Sequence, residues 1–222
     1  MDLQRILSAV DHTLLSVTAG WADIQKVLEE AMTYHTASAC IPPRFVESAR
    51  VFVGDKVPIC TVIGFPNGYN TSVVKVAEVR DAISRGAEEI DTVIPVGILK
   101  SGEYGEVATE LALLRKACGN KILKVIIETC LLTREEKIIC CKLVSESGAD
   151  FIKTSTGFST GGATREDVAL MKEFVEPHVK IKAAGGIATL KDAEEFLNLG
   201  ASRLGTSRVV KLVKGMETKE GY

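Results

Sequence analysis

Three segments of this chain begin alike. RGAEEIDTVI, SGADFIKT and LGASRLGT each place a glycine between a helical pattern and an apolar, β-branched run. Gly86, Gly148 and Gly200 stand where a helix C-cap wants a left-handed residue, and a strand follows at once. The exchange of helix for strand recurs along the whole chain. Strand-like runs lie in DHTLL, HTASACI, VPICTVIG, EEIDTVIPVG, KILKVIIET, ADFIKTSTG, HVKIKAAGG and ASRLGTSR. Helical patterns separate them: Trp21 to Thr33, a helix opened by Pro42 and Pro43, Thr71 to Arg85, Glu103 to Ala117, Thr133 to Ser147, Arg165 to Glu176 and Leu190 to Leu199. Thr133 with Glu136 three residues on has the form of a capping box. Eight strand-then-helix units without a linker predict one α/β domain over residues 1–222, a (β/α)8 TIM barrel with a short helix before the first strand. An open doubly wound sheet competes on strand count alone.

Composition narrows what such a domain can do. The chain of 222 residues is 46% hydrophobic and 25% charged, enough for a buried core, and its net charge is -2. That charge offers no broad attraction to nucleic acid or acidic membranes. One Trp, four Tyr and seven Phe give bases few stacking partners, so no nucleic-acid partner is expected. MDLQRILSAV has neither a basic leader nor a long apolar run, and no stretch approaches the roughly 18 apolar residues of a membrane span. Six cysteines without a CxxC pair or a Cys/His cluster predict reduced thiols in a cytoplasmic protein without zinc, and with neither GxxxxGK(S/T) nor GxGxxG present no metal or cofactor is expected.

Four charges interrupt the apolar runs: Asp91, Lys124, Lys153 and Lys182. Any one alone fits an outward-facing strand residue or a strand-end charge. Lys153 and Lys182 share a pattern, each following isoleucine at a strand end and preceding small or glycine-rich residues. In a barrel both ammonium groups face one mouth, where active sites gather. Desolvation and a second ammonium both favour the neutral amine, which attacks carbonyls to form a Schiff base. Asp91 is then the candidate proton carrier, and Lys124 either joins its network or forms a structural salt bridge.

Glycine and hydroxyl residues close the late strands: Thr156 and Gly157, Gly185 and Gly186, then Gly205, Thr206 and Ser207. Loops in these places bind phosphate through backbone N–H groups, although each GG alone is also an ordinary turn. Asp11 fits either the mouth after strand one or an N-cap. Cys40 fits a small packing role, His12, His35 and His178 structural roles, and GFPNG at 64–68 a tight loop in the substrate wall.

Together TVIGFPNG, EIDTVIP, LKVIIET, FIKTSTGF, IKAAGGI and RLGTS resemble, in the same order, the deoxyribose-phosphate aldolase family of class I aldolases. The resemblance implies reversible cleavage of 2-deoxy-D-ribose 5-phosphate to glyceraldehyde 3-phosphate and acetaldehyde, in a cytoplasmic homo-oligomer, dimer or tetramer, that uses no metal. It implies Lys153 as the Schiff-base lysine, Lys182 as the second lysine, Asp91 as proton relay, and Thr156, Gly185, Gly186, Gly205 and Ser207 as phosphate-loop positions. The chain departs from the pattern at Arg208, at Pro95 and at CIPP (40–43). Another phosphosugar barrel, an isomerase or a transaldolase-like enzyme, and a silent phosphosugar-binding protein are the alternatives.

Overall fold

The computed structural model describes residues 2–220. A short helix α1 (Leu3–Leu7) precedes strand β1 (Val10–Thr13). Helix α2 (Trp21–Thr33) and strand β2 (Ser38–Ile41) complete the first unit. Ile24, Val27, Leu28 and Ala31 of α2 are buried, the i, i+3, i+4, i+7 stripe of a helix laid on a sheet. Pro42 is extended and Pro43–Phe45 form a 3-10 turn, so α3 begins only at Val46 and runs to Val53. Strand β3 (Ile59–Ile63), α4 (Ser72–Ser84) and β4 (Glu89–Val93) follow.

EEIDTVIPVG is not all strand. It stops at Val93, and a helix α5 (Val96–Lys100) starts directly after Pro95, whose fixed φ suits a helix entrance. Helix α6 (Tyr104–Cys118), β5 (Ile122–Ile126), a 3-10 turn (Thr129–Leu131) and α7 (Arg134–Glu146) come next. The capping box forms, with the Glu136 N–H on Thr133 Oγ1 and the Thr133 N–H on a Glu136 carboxylate oxygen. Strand β6 (Phe151–Lys153) leads to α8 (Arg165–Phe174), which ends two residues before Glu176, since Pro177 pushes the preceding chain out of helix. Strand β7 (Lys180–Ala184), α9 (Leu190–Leu199), β8 (Ala201–Thr206) and α10 (Val209–Glu220) complete the order.

The eight strands are parallel and close in sequence order, β8 pairing with β1 through Val10–Leu204 and Asp11–Gly205. The competing open sheet is therefore excluded. Strands β2, β3 and β4 are buried at every position, as befits a sheet with helices outside and a packed interior. Gly86, Gly148 and Gly200 have φ of +106°, +74° and +115°, the left-handed C-caps their position called for. Between β7 and β8 the register slips by one residue, so Lys182 lies opposite Arg203. Such a bulge re-aims side chains.

Candidate active site

The barrel interior holds charge where a core would ordinarily hold leucine. Asp11 on β1, Glu89 and Asp91 on β4, Lys124 on β5, Lys153 on β6 and Lys182 on β7 are all buried. Alternation puts Glu89 and Asp91 on one face of their strand, and the ladder sets Asp91 beside Lys124 and Lys153 beside Lys182. Asp91 is the hub. Its Oδ2 lies 2.7 Å from both the Lys153 and the Lys182 nitrogens, and its Oδ1 lies 2.8 Å from Lys124. Lys182 also pairs with Asp11. Lys124 reaches Glu89 at 2.7 Å and Asp11 at 3.4 Å. Arg203 on β8 closes the lower network, 2.5 Å from Asp11 and 3.0 Å from Glu89.

These neighbours fix the protonation states. Burial alone would raise the Asp91 pKa, but Lys124, Lys153 and Lys182 outweigh it and hold the carboxyl well below its ordinary value. Asp11 follows the same balance with Lys124, Lys182 and Arg203. Burial disfavours the Lys182 and Lys124 ammonium groups, yet Asp11 and Asp91 keep both pKa values above the usual lysine range. The interior thus gathers three lysines and an arginine around three carboxyl groups. Lys124 touches three carboxylates and Lys182 two, whereas Lys153 touches only Asp91.

Lys153 also differs in what it faces. A cleft of about 600 Å³ opens at the C-terminal ends of the strands, and among the described residues Lys153 is the one interior cation lining it. Thr156, Gly157, Gly185, Gly186, Gly205, Thr206 and Ser207 line the same cleft, with Arg208 beside them. Among the described residues none accepts a hydrogen bond from the backbone N–H of Gly157, Gly186 or Ser207. Residues with unpaired N–H donors thus line the same cleft as the Lys153 amine. Thr156 has less to offer, because its N–H and its hydroxyl both bond Glu128. The Thr206 hydroxyl accepts from the Arg208 N–H at 3.1 Å.

Glycine is required at two of these places. Gly205 passes so close to β7 that a Cβ would lie 2.9 Å from Ala184 Cβ and 3.2 Å from Lys182 Cε. Gly162, in the loop after β6, packs on the Gly185 backbone, where a Cβ would come within 2.5 Å. The STGG segment thereby braces the AAGG turn, and Thr164 then caps α8 through the Asp167 N–H. GFPNG closes with a 2.7 Å bond from the Gly68 N–H to the Gly64 carbonyl, and Phe65 meets Phe158 edge-on at 5.3 Å.

One expectation changes, and for Lys124 both alternatives hold. Asp11 is neither a cap nor a mouth residue; it sits inside the barrel, where DHT is strand and alternation aims it at Lys182 and Arg203. Lys124 belongs to the Asp91 network and is a structural salt bridge as well. Cys40 packs against Cys60, Val62, Leu15 and Phe65. The histidines have protein partners where bonds form: His12 lies 2.9 Å from Glu30, and His178 lies 3.2 Å from the Ser145 carbonyl. Cys40, Cys60 and Asp91 place ligand atoms within 4.8 Å of one another. The space beside Asp91 is already taken by three lysine nitrogens, and Lys124 reaches Cys60 at 3.2 Å, so the chain's own lysines compete with any metal ion. No described helix is long and apolar enough to cross a membrane.

Glu89 and Arg203 are not singled out by the sequence, and Glu128, within LKVIIET, reads there as a strand residue on the Lys124 face, whereas the strand ends at Ile126. Period-two counting back from Asp91 and from Gly205 finds the first two; Glu128 depends on a turn that no pattern announces.

The family model for DeoC/LacD family aldolases matches residues 5–206. The chain is 57% identical to a curated deoxyribose-phosphate aldolase of Streptococcus agalactiae serotype Ia, covering 100% of this chain and 99% of that one. It is 58% identical to one of Streptococcus pyogenes serotype M4, covering 99% and 98%. Among solved structures, "QR15, an Aldolase" superposes with a TM-score of 0.92 at 34% identity, covering 97% of both chains. The tetrameric deoxyribose phosphate aldolase of Aeropyrum pernix superposes with a TM-score of 0.88 at 28% identity, covering 98% of this chain and 93% of that one. With an amine at the floor of the cleft and a match along nearly its whole length, this chain belongs to the DeoC/LacD family of aldolases.

Proposed function

We propose that this chain is a class I aldolase that reversibly cleaves 2-deoxy-D-ribose 5-phosphate to D-glyceraldehyde 3-phosphate and acetaldehyde, with Lys153 forming the Schiff base. The observation that carries this reading is the environment of Lys153: an amine at the cleft floor with one carboxylate partner, beside lysines that have two and three. Lys182 and Lys124 are committed to carboxylates, and an ammonium has no lone pair with which to attack. The remaining amine is the one the cleft exposes.

The neutral Lys153 nitrogen adds to the C1 aldehyde, and loss of water gives the iminium. A base then takes the proton of the C3 hydroxyl, the C2–C3 bond breaks, and its electron pair passes into the iminium. Glyceraldehyde 3-phosphate leaves, the enamine is protonated at C2, and water releases acetaldehyde. Asp91, within hydrogen-bond reach of both Lys153 and Lys182, is the group we assign to proton movement, directly or through water. The free N–H groups of Gly157, Gly186 and Ser207, with Gly185, Gly205 and Thr206 shaping the wall and Arg208 beside it, are assigned to the substrate phosphate. Thr156 supports that wall rather than donating to the anion, since Glu128 holds both its donors.

We also propose a homo-oligomer, dimer or tetramer, in the cytoplasm. The Aeropyrum pernix relative is tetrameric, the exposed apolar residues Val51, Tyr69 and Val73 suit a protein contact, and all six cysteines are free.

Product analysis tests the reaction. Incubation with 2-deoxy-D-ribose 5-phosphate is expected to release acetaldehyde and glyceraldehyde 3-phosphate in equal amounts. Conversion without acetaldehyde would instead make the protein an isomerase, and binding without conversion a silent phosphosugar receptor.

A further inference from the structure

One buried carboxylate takes no part in the chemistry above. Glu128 follows β5 in the left-handed region, φ 52° and ψ 65°, one of two non-glycine residues with positive φ among those described. A glutamate held in that conformation is kept there by its surroundings. Here the surroundings are the turn after β6. Glu128 Oε2 accepts the Thr156 hydroxyl at 2.5 Å, and the Thr156 N–H lies 3.2 Å and 3.3 Å from its two carboxylate oxygens. The Thr156 oxygen then accepts the Phe158 N–H at 3.0 Å, across Gly157. Main-chain bonds stitch the same two segments together behind this point, Ile127 N–H to the Lys153 carbonyl and Thr129 N–H to the Thr154 carbonyl.

These contacts divide the work along one short segment. Lys153 is fixed by its strand and by the main-chain bonds. Gly157, at φ +85° and with open space where a Cβ would stand, is spanned by the Phe158 N–H bond to Thr156 Oγ1, so its hydrogen-bonded position is set through Thr156. Thr156 is in turn held by one side chain.

We propose that Glu128 is a positioning residue for phosphate recognition: by holding both donors of Thr156, it sets the turn that aims the Gly157 N–H into the cleft. It touches neither the reacting carbonyl nor the anion. This inference rests on the aldolase reading of the cleft, and it predicts a selectivity that a general structural role would not produce.

The test compares substrates with and without phosphate. Glu128→Gln keeps the shape and one acceptor oxygen but loses the paired acceptance. It is expected to raise the KM for 2-deoxy-D-ribose 5-phosphate about tenfold, the weight of one charge-assisted hydrogen bond. Turnover of unphosphorylated 2-deoxyribose and the borohydride-trapped yield of acetaldehyde on Lys153 are expected to fall less than about twofold on the same grounds. Thr156→Val should reproduce this pattern, and the double variant should be no worse than either single, because both break one contact. Thr156→Val attacks the contact from the other side if Glu128→Gln does not fold. Equal losses on the phosphorylated and unphosphorylated sugars, an unchanged KM, or multiplied losses in the double variant would overturn the inference. Failure of the aldolase reading would look different: the unaltered protein would trap no acetaldehyde at Lys153.

Discussion

Lys153 and Lys182 share a single oxygen. Both side-chain nitrogens lie 2.7 Å from Asp91 Oδ2, on neighbouring strands whose ladder pairs the two lysines directly. Only one of them meets the cleft. The other is bound to Asp11 as well and keeps its proton. A charge fixed beside an amine that lines the cleft is the arrangement that imine chemistry uses.

Replacing Lys182 should therefore cost rate, and stability as well, because Asp91 and Asp11 lose a buried partner while the other lysines and Arg203 remain to hold the fold. Lys182→Leu is expected to lower kcat by about 10² or more, the usual weight of a positioned charge or proton-transfer group. Its pH optimum should move upward, because the positive charge next to Lys153 is gone. Steady-state rates across pH, with circular dichroism as the fold control, give the answer. A full drop in rate with an unmoved pH profile would contradict this role.

Acid should attack the same network. Folded Asp91 and Asp11 have pKa values below the ordinary 3.8, so above 3.8 their stabilising contribution is complete. As pH falls below 3.8 the unfolded chain takes up protons that the folded chain refuses, and stability declines by about 1.4 kcal/mol per pH unit for each group. Urea midpoints measured between about pH 4 and pH 2 should fall with that sign. A flat midpoint through this window would mean that the carboxylates are not paired as described.

A second buried ion pair supports the wall at GFPNG. Lys75 on α4 is fully buried, 2.6 Å from Glu110 and 2.8 Å from the Val93 carbonyl, and it runs directly beneath Gly64. Lys75→Met leaves Glu110 buried without its cation, at a cost of about 3–5 kcal/mol in urea unfolding. Pairing it with Glu110→Leu should restore most of that loss, because both charges are then absent. A double variant as unstable as the single would show that the charges themselves hold this corner.

Gly205 tests how tightly the late turns press on the lysines. Gly205→Ala pushes a methyl against Ala184 Cβ and Lys182 Cε. Overpacking of this kind costs about 1–3 kcal/mol, and here it displaces Lys182, so activity should fall further than the melting temperature suggests. Activity and melting temperature that both match the unaltered protein would show that β7 and β8 yield.

Much of this site could be read from the chain alone, and the limits have physical causes. Lys153, Lys182 and Asp91 stand out because charges are rarely spent inside apolar strand runs. The late glycines stand out because three turns repeat one chemistry. Glu89 and Arg203 were hidden by polar neighbours, Glu88 and Ser202, which make each look like an edge residue. Asp11 was ambiguous because an aspartate before a short polar stretch has the form of a cap, and only ring closure brings β1 beside β8. Helix α5 was concealed by IPVGIL, which continues the apolar run of β4 past the point where Pro95 ends it. Glu128 acts through a left-handed turn and a bond 28 residues away in sequence, and local patterning carries neither.

Imine trapping tests the central claim most directly. Treating the protein with acetaldehyde and sodium borohydride, then mapping peptides by mass, should place one reduced two-carbon adduct on Lys153, with competition from 2-deoxy-D-ribose 5-phosphate. No adduct, or an adduct on Lys182 or Lys124 while Lys153 stays unmodified, would contradict it.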